Sequence, residues 1–433
     1  MPHAPVRWRV ATVMASTLLL LGGWNATGAA ADPEPRTADP APGDRVGTWA
    51  TAPTATPATA TPVLDDETVR QVVRTSIGGD QLRLRLTNEF GGTPLRVGEV
   101  HVALRAGDSG TDIDPSTDHT VTFGGRTSVT IPAGAPMISD PVPLELPERS
   151  DLVVSVHLPE RTPVTTLHGS SYQENVVATG NVTGATSVEA TRTFTQWYFL
   201  SGVSVRARTR LADAVVALGD SITDGAETEV NANHRWPDLL AGRLPHTGVL
   251  NSGIAGNRLL HDPNPPEGSD AEDFAAFFGQ SALRRFDRDV LARPGVGHVI
   301  VLLGVNDIGH PGTVAPVSEA VTAEEIIGAH RQLIARAHAA GLRIYGGTIL
   351  PFGGDSLGFH NEENEARRQA VNEWIRTSGE YDAVIDFDAV TRDPEHPLRL
   401  RPEYDSGDGL HPNDAGMAAM ADAIPARLFR PGR

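Results

Sequence analysis

The chain has 433 residues, a formal net charge of −18 and no cysteine, and all 36 of its basic residues are arginine. The length allows two or three domains, and the lack of cysteine and lysine excludes disulfides, thiolate zinc sites, a thiol nucleophile and a Schiff-base or P-loop lysine. The acidic balance argues against a nucleic-acid partner and against electrostatic docking on anionic lipid, because both need a basic face.

Residues 1–31 have the pattern of a secretory signal peptide. Arg7 and Arg9 precede a mostly apolar run over 10–21, and three alanines over 29–31 offer a small-residue cleavage site. The alternative is a retained membrane anchor, but the apolar run is shorter than a bilayer-spanning helix needs. The sequence therefore predicts a secreted, extracellular protein that is cleaved near Ala31 and makes no stable membrane insertion.

Residues 32–62 are rich in Pro, Ala and Thr, a composition that favours extended, polyproline-like conformations. We expect this stretch to form a leading arm or linker. Trp49 lies within it and is the aromatic residue expected to anchor the arm to a folded surface.

A β-rich domain is predicted over 63–210, because apolar and polar residues alternate there with a period of two. The clearest runs are 82–86, 100–104, 152–156 and 194–203. Two further runs, 120–123 and 127–131, flank Gly124-Gly125 and predict a hairpin. Several short strands without an amphipathic helix indicate an antiparallel, jelly-roll-like β-sandwich. The aromatic pair Trp197-Tyr198 is either part of its core or, by analogy with carbohydrate-binding sandwiches, a sugar platform.

Strand and helix patterns alternate after Ala212, which predicts an α/β domain over 211–433 with a mostly parallel sheet and helices on both faces. The predicted strands are 214–218, 298–303, 342–350 and 383–387, and the predicted helices are 281–292, 322–340, 363–378 and 413–428. Thr322 and Glu325 form a capping box for the second helix. The linker near 206–211 is so short that we expect the sandwich to pack against the α/β domain.

Two motifs of this domain hold the residue types of an activated serine. Ser221 lies in Gly-Asp-Ser-Ile-Thr directly after the apolar run 214–218, and Asp408 and His411 lie in Asp-Gly-Leu-His close to the C-terminus. A serine held at the carboxyl edge of a sheet, with a histidine base and an orienting carboxylate, forms a nucleophilic triad. By itself, the serine turn is equally well explained as a helix cap, and His411 as a surface histidine.

Two further segments supply hydrogen-bond donors. Gly256 lies in the Gly-rich segment 251–257, where a bare backbone N–H can approach a substrate closely, and Asn306 follows the buried run 299–303. In isolation, each is explained as well by an ordinary turn. Loop residues between the motifs, among them His310 and Phe359, are expected either to border the site or to pack beneath it.

These four segments, in this order, resemble those of the SGNH, or GDSL, hydrolase superfamily of serine esterases and acylhydrolases. The resemblance covers about 212–428, and the only departure is Ile222 where the family name has Leu. It implies a flavodoxin-like three-layer α/β/α hydrolase domain, and some secreted bacterial members carry an extra N-terminal β-sandwich. The Gly-x-Ser-x-Gly elbow of the α/β-hydrolases is absent, which favours the SGNH family.

The resemblance also implies the residue roles. Ser221 is expected to be the nucleophile, His411 the base and Asp408 its orienting partner. The backbone N–H groups of Ser221 and Gly256 and the side chain of Asn306 are expected to form the oxyanion hole.

The sequence thus predicts a secreted serine esterase that needs no cofactor and no metal. Its expected substrate is a small-molecule or polysaccharide ester carrying short acyl groups, such as acetyl. One alternative is a lipase or phospholipase acting on lipid esters, although no hydrophobic lid helix is evident. The other is a non-catalytic surface-binding module with a degenerate hydrolase domain.

Overall fold

The computed structural model of the protein describes residues 45–429. The predicted signal peptide over 1–31 and the first part of the predicted arm, 32–44, lie outside the described residues. Among the described helices, none has the length and apolar character that crossing a membrane requires.

The strands of the N-terminal half form antiparallel sheets. They are β1 Arg45–Ala50, β2 Thr54–Ala55, β3 Val63–Leu64, β4 Glu67–Arg74, β5 Gly79–Thr87, β6 Leu95–Val97, β7 Glu99–Leu104, β8 His119–Thr120, β9 Val129–Ile131, β10 Pro136–Ile138, β11 Asp151–Leu158, β12 Thr162–Pro163, β13 Thr166–His168, β14 Asn175–Thr179, β15 Arg192–Phe194, β16 Trp197–Tyr198 and β17 Leu200–Ala207. The two largest sheets have the strand orders β1-β17-β5-β10 and β15-β14-β4-β11-β7-β8.

These two sheets share one apolar core, as a sandwich does. Leu82, Leu84 and Leu86 of β5 are fully buried while the arginines between them are half-buried, which confirms the predicted alternation. Trp197 and Tyr198 are also buried. Trp197 packs edge-on against Trp49, with ring centroids 5.0 Å apart, so this aromatic pair belongs to the core and offers no sugar platform.

The hairpin predicted around Gly124-Gly125 is wrong. A tight turn is present, but it is flanked by one isolated bridge between Phe123 and Arg126. The neighbouring strand β8 pairs with β7, and β9 pairs with β6. Alternation in the sequence indicates that a segment is a strand, whereas the strand it pairs with depends on which distant apolar face it covers.

The predicted arm over 32–62 is also corrected in its described part. Residues 45–50 form β1, which pairs with β17 from Arg45↔Arg206 to Ala50↔Gly202. Val46 and Trp49 are buried in the shared core, and this apolar burial holds the extended segment against the sandwich as a strand. The other domain boundaries given by the sequence remain predictions.

The C-terminal half contains a five-stranded, wholly parallel sheet of order β19-β18-β20-β21-β22. Its strands are β18 Asp213–Gly219, β19 Thr247–Gly253, β20 Val296–Leu302, β21 Arg343–Gly347 and β22 Ala383–Ile385. The chain moves from β18 to β19 on one side and then to β20 on the other. The carboxyl end of β18 is therefore a topological switch point, where open α/β sheets place their ligand sites.

Helices cover both faces of this sheet. The helices of this half are α1 Ser221–Asp224, α2 Trp236–Ala241, α3 Ala282–Phe286, α4 Val305–Gly309, α5 Ala323–Ala339, α6 Glu362–Thr377, α7 Phe387–Thr391 and α8 Asp414–Ala423. The half also contains 3₁₀ turns at Asp270–Asp273, Ala275–Phe278, Val317–Glu319 and Ala426–Phe429 and a π turn at Asp287–Leu291, whereas the 3₁₀ turn Pro115–Thr117 lies in the N-terminal half. Val216 of β18 packs in the same core as α3 and α5, whereas its neighbour Val215 packs in the same core as α2 and α8. This alternation shows the three-layer α/β/α architecture.

The predicted elements of this half largely agree with the structure. The capping box of α5 is present, with Thr322 Oγ1 accepting from the Glu325 N–H at 3.2 Å and Glu325 Oε2 accepting from the Thr322 N–H at 2.8 Å. The predicted helix 413–428 ends earlier, at Ala423, because Pro425 cannot continue it. The strand β19 was not predicted, and residues 251–253, expected in a loop, pair with 217–219.

The sandwich packs directly against the edge of the parallel sheet, as the short linker predicts, and both lie in one compact unit. The Gly47 N–H of β1 donates to the Pro294 carbonyl at 2.8 Å, and the Val249 N–H of β19 donates to Ser76 Oγ at 3.0 Å. A Cβ atom on Gly248 would lie 1.9 Å from the Gly47 carbonyl oxygen, so the two backbones meet without intervening side chains.

Candidate active site

Ser221 occupies the first position of α1, immediately beyond the switch point. The Asp220 side chain caps this helix by accepting from the Ile222 N–H at 3.1 Å. A Cβ atom on Gly219 would lie 2.0 Å from Thr223 Oγ1, so only glycine fits where the chain turns from β18 into the helix. The sequence Gly-Asp-Ser therefore fixes both the sharp turn and the direction of the serine.

His411 and Asp408 reach the same point from the loop before α8. His411 Nε2 lies 2.8 Å from Ser221 Oγ, and His411 Nδ1 lies 2.6 Å from Asp408 Oδ2. The other carboxylate oxygen, Oδ1, accepts from the backbone N–H groups of Leu410 and His411, both at 2.8 Å. The structure thus brings all three predicted residues into one hydrogen-bonded chain.

These contacts also set the charge of Asp408. Its partial burial on its own would raise the pKa of the carboxyl, but the hydrogen bonds from the His411 ring and from two backbone N–H groups hold the pKa well below its usual range. Asp408 is therefore ionised throughout the neutral range. An ionised carboxylate accepts only, so His411 Nδ1 must carry a proton and Nε2 is left free to accept the serine proton.

Gly256 lies in the turn that follows β19. Its φ of +74° is in the left-handed region, and a Cβ atom would lie 2.1 Å from the Phe278 ring. Both the backbone conformation and the adjacent ring therefore require glycine.

Asn306 lies in α4, directly after β20, and is buried. Its Nδ2 donates to the Asn257 carbonyl at 3.0 Å, which accounts for one of its two N–H groups. The second N–H of Asn306 has no acceptor among the described residues. The backbone N–H groups of Ser221 and Gly256 also have none there. Three donors without protein partners thus follow the adjacent strands β18, β19 and β20, whose ends are in register at Gly219↔Gly253 and Gly219↔Leu302.

Asp307, which follows Asn306, holds the turn in place, a role that its position in the sequence does not indicate. Its carboxylate accepts from the Leu259 N–H at 2.8 Å and from the Leu260 N–H at 3.0 Å. Burial raises the pKa of Asp307 to about 6, against the effect of these two hydrogen bonds. The same cause raises the pKa of Asp220, which is fully buried, to about 7.

Arg285 is a fully buried side chain that sequence reasoning missed. Its guanidinium donates to the Gly219 carbonyl at 2.9 Å, to the Ser252 carbonyl at 2.8 Å and to Asn257 Oδ1 at 3.0 Å. It thereby ties the ends of β18 and β19 to the turn that holds Gly256. Burial lowers the pKa of Arg285 to about 10, so it stays charged at neutral pH. Only the folded structure reveals this role, because nothing in the surrounding sequence marks one arginine of α3 over another.

A row of rings lies beside the turn. Phe278, which packs on Gly256, has its ring centroid 5.1 Å from that of His310, and His310 lies 5.6 Å from Phe359. Phe274 extends the row at 5.6 Å from Phe278 and is exposed. Burial and the nearby Arg258 lower the pKa of His310 to about 3, so this histidine is neutral and forms part of an apolar wall.

One group of the described residues has the composition of a metal site. The candidate ligand atoms of Glu229, His234 and Asp414 lie within 4.8 Å of one another. Their contacts are already accounted for, since His234 Nδ1 lies 2.6 Å from Asp414 Oδ2 and the Glu229 N–H donates to Asp414 Oδ1 at 3.0 Å. The three residues come from two distant segments, so no sequence spacing indicates the group.

The sequence of residues 217–419 matches the profile of a family described as GDSL-like lipase/acylhydrolase. No curated protein matches the chain.

Several solved structures resemble it. The native aryl esterase of M. smegmatis is 18% identical, and the alignment covers 49% of this chain and 96% of the esterase with a TM-score of 0.37. A GDSL-like lipase from Bacteroides thetaiotaomicron is 19% identical over 50% of this chain and 87% of that protein, with a TM-score of 0.36. An alpha/beta hydrolase from the metagenome of Lake Arreo is 20% identical over 49% and 92%, with a TM-score of 0.35.

Proposed function

We propose that this protein, whose residues 217–419 match the GDSL-like lipase/acylhydrolase family, is a secreted serine esterase. Its proposed reaction is the removal of short acyl groups from carbohydrate or other alcohol esters. The observation that carries the catalytic part of this proposal is the hydrogen-bonded chain from Ser221 through His411 to Asp408. The proposed role of each residue follows from its contacts.

In the first step, Ser221 Oγ attacks the acyl carbonyl carbon. The proton of the hydroxyl passes to His411 Nε2, which lies within hydrogen-bond distance at 2.8 Å, and the carbonyl oxygen becomes an oxyanion. His411 is then an imidazolium ion. Asp408, held ionised by its backbone contacts, stabilises that positive charge and fixes the orientation of the ring.

The three free donors supply the oxyanion site. The backbone N–H groups of Ser221 and Gly256 and the second N–H of Asn306 follow neighbouring strands and lack protein acceptors. Donors that are fixed before the reaction stabilise charge that develops only in the transition state, which is usually the largest single contribution to acyl transfer. Arg285 and Asp307 fix the positions of these donors, because they hydrogen-bond to the ends of the strands and to the turn.

In the second step, the tetrahedral intermediate collapses. The C–O bond to the alcohol breaks, and His411 returns its proton to the departing oxygen, which leaves an acyl group on Ser221. Water then attacks this acyl-enzyme with His411 again acting as base, and the products are the free acid and the regenerated serine. Water is the only co-reactant of the ester.

The row of rings beside the turn supports the proposal of short acyl groups. Because the Phe278 ring packs directly on Gly256, the space beside the proposed oxyanion site is bordered by rigid aromatic groups. The exposed Phe274 is the observation that favours the alternative, a lipase, since it extends this apolar wall to the surface.

Hydrolysis of p-nitrophenyl esters of graded length, from acetate to palmitate, by the purified mature protein tests the proposal. We expect the highest kcat/KM on the acetate and butyrate esters and release of acetate from acetylated oligosaccharides. Ser221→Ala should show no turnover, while its melting temperature stays the same as that of wild type. A maximum on long chains would instead indicate a lipase. Absence of turnover on every ester would contradict the esterase proposal.

The secretion part of the proposal rests on residues 1–31 alone. N-terminal sequencing of the protein recovered from culture medium tests it. We expect the mature chain to begin close to Asp32, and full-length protein retained in the cells would contradict export.

A further inference from the structure

One contact between the sandwich and the hydrolase domain involves the short helix that carries the proposed nucleophile. His168, the last residue of β13, is fully buried, and its Nε2 lies 2.9 Å from Oδ1 of Asp224. Asp224 is the last residue of α1, the short helix that begins with Ser221. A sandwich side chain thus reaches the helix that carries the serine.

Asp224 also forms a hydrogen bond to the turn of the proposed oxyanion site. Its second carboxylate oxygen, Oδ2, accepts from the Ala255 N–H at 3.0 Å, and Ala255 immediately precedes Gly256. The carboxylate therefore joins the end of α1, the turn after β19 and the sandwich through its two oxygens. Because Asp224 is itself buried, water does not compete for these positions.

The hydrogen-bond partners fix the protonation of the pair. His168 Nδ1 lies 2.9 Å from the Ala52 carbonyl, so this nitrogen must carry a proton. Nε2 faces the Asp224 carboxylate and the Ser170 carbonyl, which both only accept, so it must carry a proton as well. His168 is therefore an imidazolium ion that neutralises the buried Asp224 carboxylate. The direction of its pKa agrees, because the nearby Asp224 charge raises it in spite of burial.

The imidazole is itself held rigidly. Its ring stacks on Trp197 at a centroid distance of 5.6 Å, and Trp197 Nε1 donates to the Val72 carbonyl of β4 at 3.0 Å. The sandwich core thus supplies a fixed anchor to the hydrolase domain.

We infer that His168 is a positioning residue of the esterase: through its ion pair with Asp224, the β-sandwich holds the Ala255-Gly256 turn and the Ser221 helix in register for catalysis. This inference rests on the proposed function. The sandwich then contributes to catalysis and is more than an appended binding module.

The test compares His168→Gln with wild type in the full chain. Gln still donates one hydrogen bond but carries no charge, so the buried carboxylate loses its counter-ion. We expect kcat on p-nitrophenyl acetate to fall by about 10- to 100-fold with little change in KM, since small displacements of reacting groups have effects of that size. Rates are expressed per active site, counted by stoichiometric reaction of the serine with a fluorophosphonate.

His157→Gln is the matched control. His157 is also a buried sandwich histidine paired with an aspartate, Asp66, at 2.9 Å, but both residues belong to the sandwich. We expect it to lower the melting temperature without changing kcat per active site. A fall in kcat of equal size in both variants would overturn the inference, because the effect would then be one of general stability.

A second variant changes Asp224, the member of the pair that belongs to the hydrolase domain. In Asp224→Asn, one carboxylate oxygen becomes an NH₂ group, so His168 and Ala255 can no longer both donate to the side chain. We expect a similar loss of kcat, and we expect the double variant to be no worse than the more damaging single variant. If wild type hydrolyses the ester and either single variant retains full kcat, the positioning role is wrong while the proposed function stands. If wild type has no esterase activity, the proposed function itself fails.

Discussion

The Nε2 atom of His411 lies 2.8 Å from the Oγ atom of Ser221, although the two residues are 190 positions apart in the chain. The loop that carries the histidine is fixed by its own contacts. The Ser406 N–H donates to the His411 carbonyl at 3.0 Å, and Asn413 Nδ2 donates to the Asp405 carbonyl at 3.1 Å. The loop therefore presents the imidazole to the serine without rearrangement.

Replacing the orienting carboxylate tests the role of Asp408. In Asp408→Asn, an amide faces His411 Nδ1 and no longer favours the tautomer that leaves Nε2 free. We expect kcat to fall by about 10³–10⁴-fold, with unfolding little changed. The matched control is Asp405→Asn in the same loop, which keeps an oxygen to accept from the Gly407 and Gly409 N–H groups. Equal losses in both variants would point to loop disruption.

The oxyanion role of Asn306 predicts a specific kinetic pattern. Asn306→Ala should lower kcat by about 10²–10³-fold with little change in KM, because its free N–H meets charge that exists only in the transition state. Asn175→Ala is the control. Asn175 is a buried sandwich asparagine whose Nδ2 donates to the Gln196 carbonyl at 2.7 Å. A lower melting temperature with kcat preserved in both variants would remove Asn306 from the site.

Gly256→Ala tests the geometry of the turn. The φ of +74° and the Phe278 ring at 2.1 Å from the new Cβ both oppose a side chain here. Gly379→Ala is the control, because its φ of +68° imposes a similar strain while the added Cβ meets nothing within 4 Å. We expect the control to lose about 1 kcal/mol of stability and none of its kcat.

Gly256→Ala should lose more stability than this control, and its kcat should fall as the turn shifts. Adding Phe278→Ala should recover part of the lost stability, since it removes the clashing ring. Urea unfolding and steady-state kinetics measure both effects. Identical behaviour of the two glycine variants would contradict close packing at Gly256.

Burial of Asp220 predicts a pH-dependent stability. Its folded-state pKa of about 7 is above the ordinary value, so between about pH 4 and pH 7 the folded protein binds more protons than the unfolded chain. The free energy of unfolding therefore falls as pH rises from about 4 to about 7. Asp220→Asn keeps an oxygen for the Ile222 N–H and never ionises. The variant should therefore gain stability over wild type as pH rises, by up to about 4 kcal/mol at pH 8.

Urea unfolding at pH 5 and pH 8 measures this difference. Asp422→Asn serves as the control, because that side chain is 80% exposed, and its difference from wild type should not vary between the two pH values. A constant difference for Asp220→Asn as well would show that the buried carboxyl group titrates as a free one.

The residues of the candidate site leave clearer signals in the sequence than the contacts that hold them in place. Ser221 and Asp408 stand in short motifs whose chemistry is local, and the apolar run before Ser221 marks the strand that carries it. By contrast, Arg285, His168 and Asp224 act through contacts between segments far apart in the chain, and such pairing leaves no periodic signal.

The missed strands have a similar cause. Residues 45–50 are a short run in a Pro/Ala/Thr-rich stretch, which hides them as a strand, and residues 247–253 contain Gly, Asn and Ser, which lower their strand propensity. Each becomes a strand because a neighbouring strand, β17 or β18, offers it a complete set of backbone partners.

The role of Ser221 as the nucleophile is tested by identifying the residue that becomes covalently modified. The mature protein is treated with a fluorophosphonate, and intact mass and peptide mapping are followed together with residual hydrolysis of p-nitrophenyl acetate. We expect one adduct per chain on Ser221, with activity lost in proportion to labelling and no labelling in His411→Ala. An adduct on another residue, or full activity after Ser221 is completely labelled, would contradict this role.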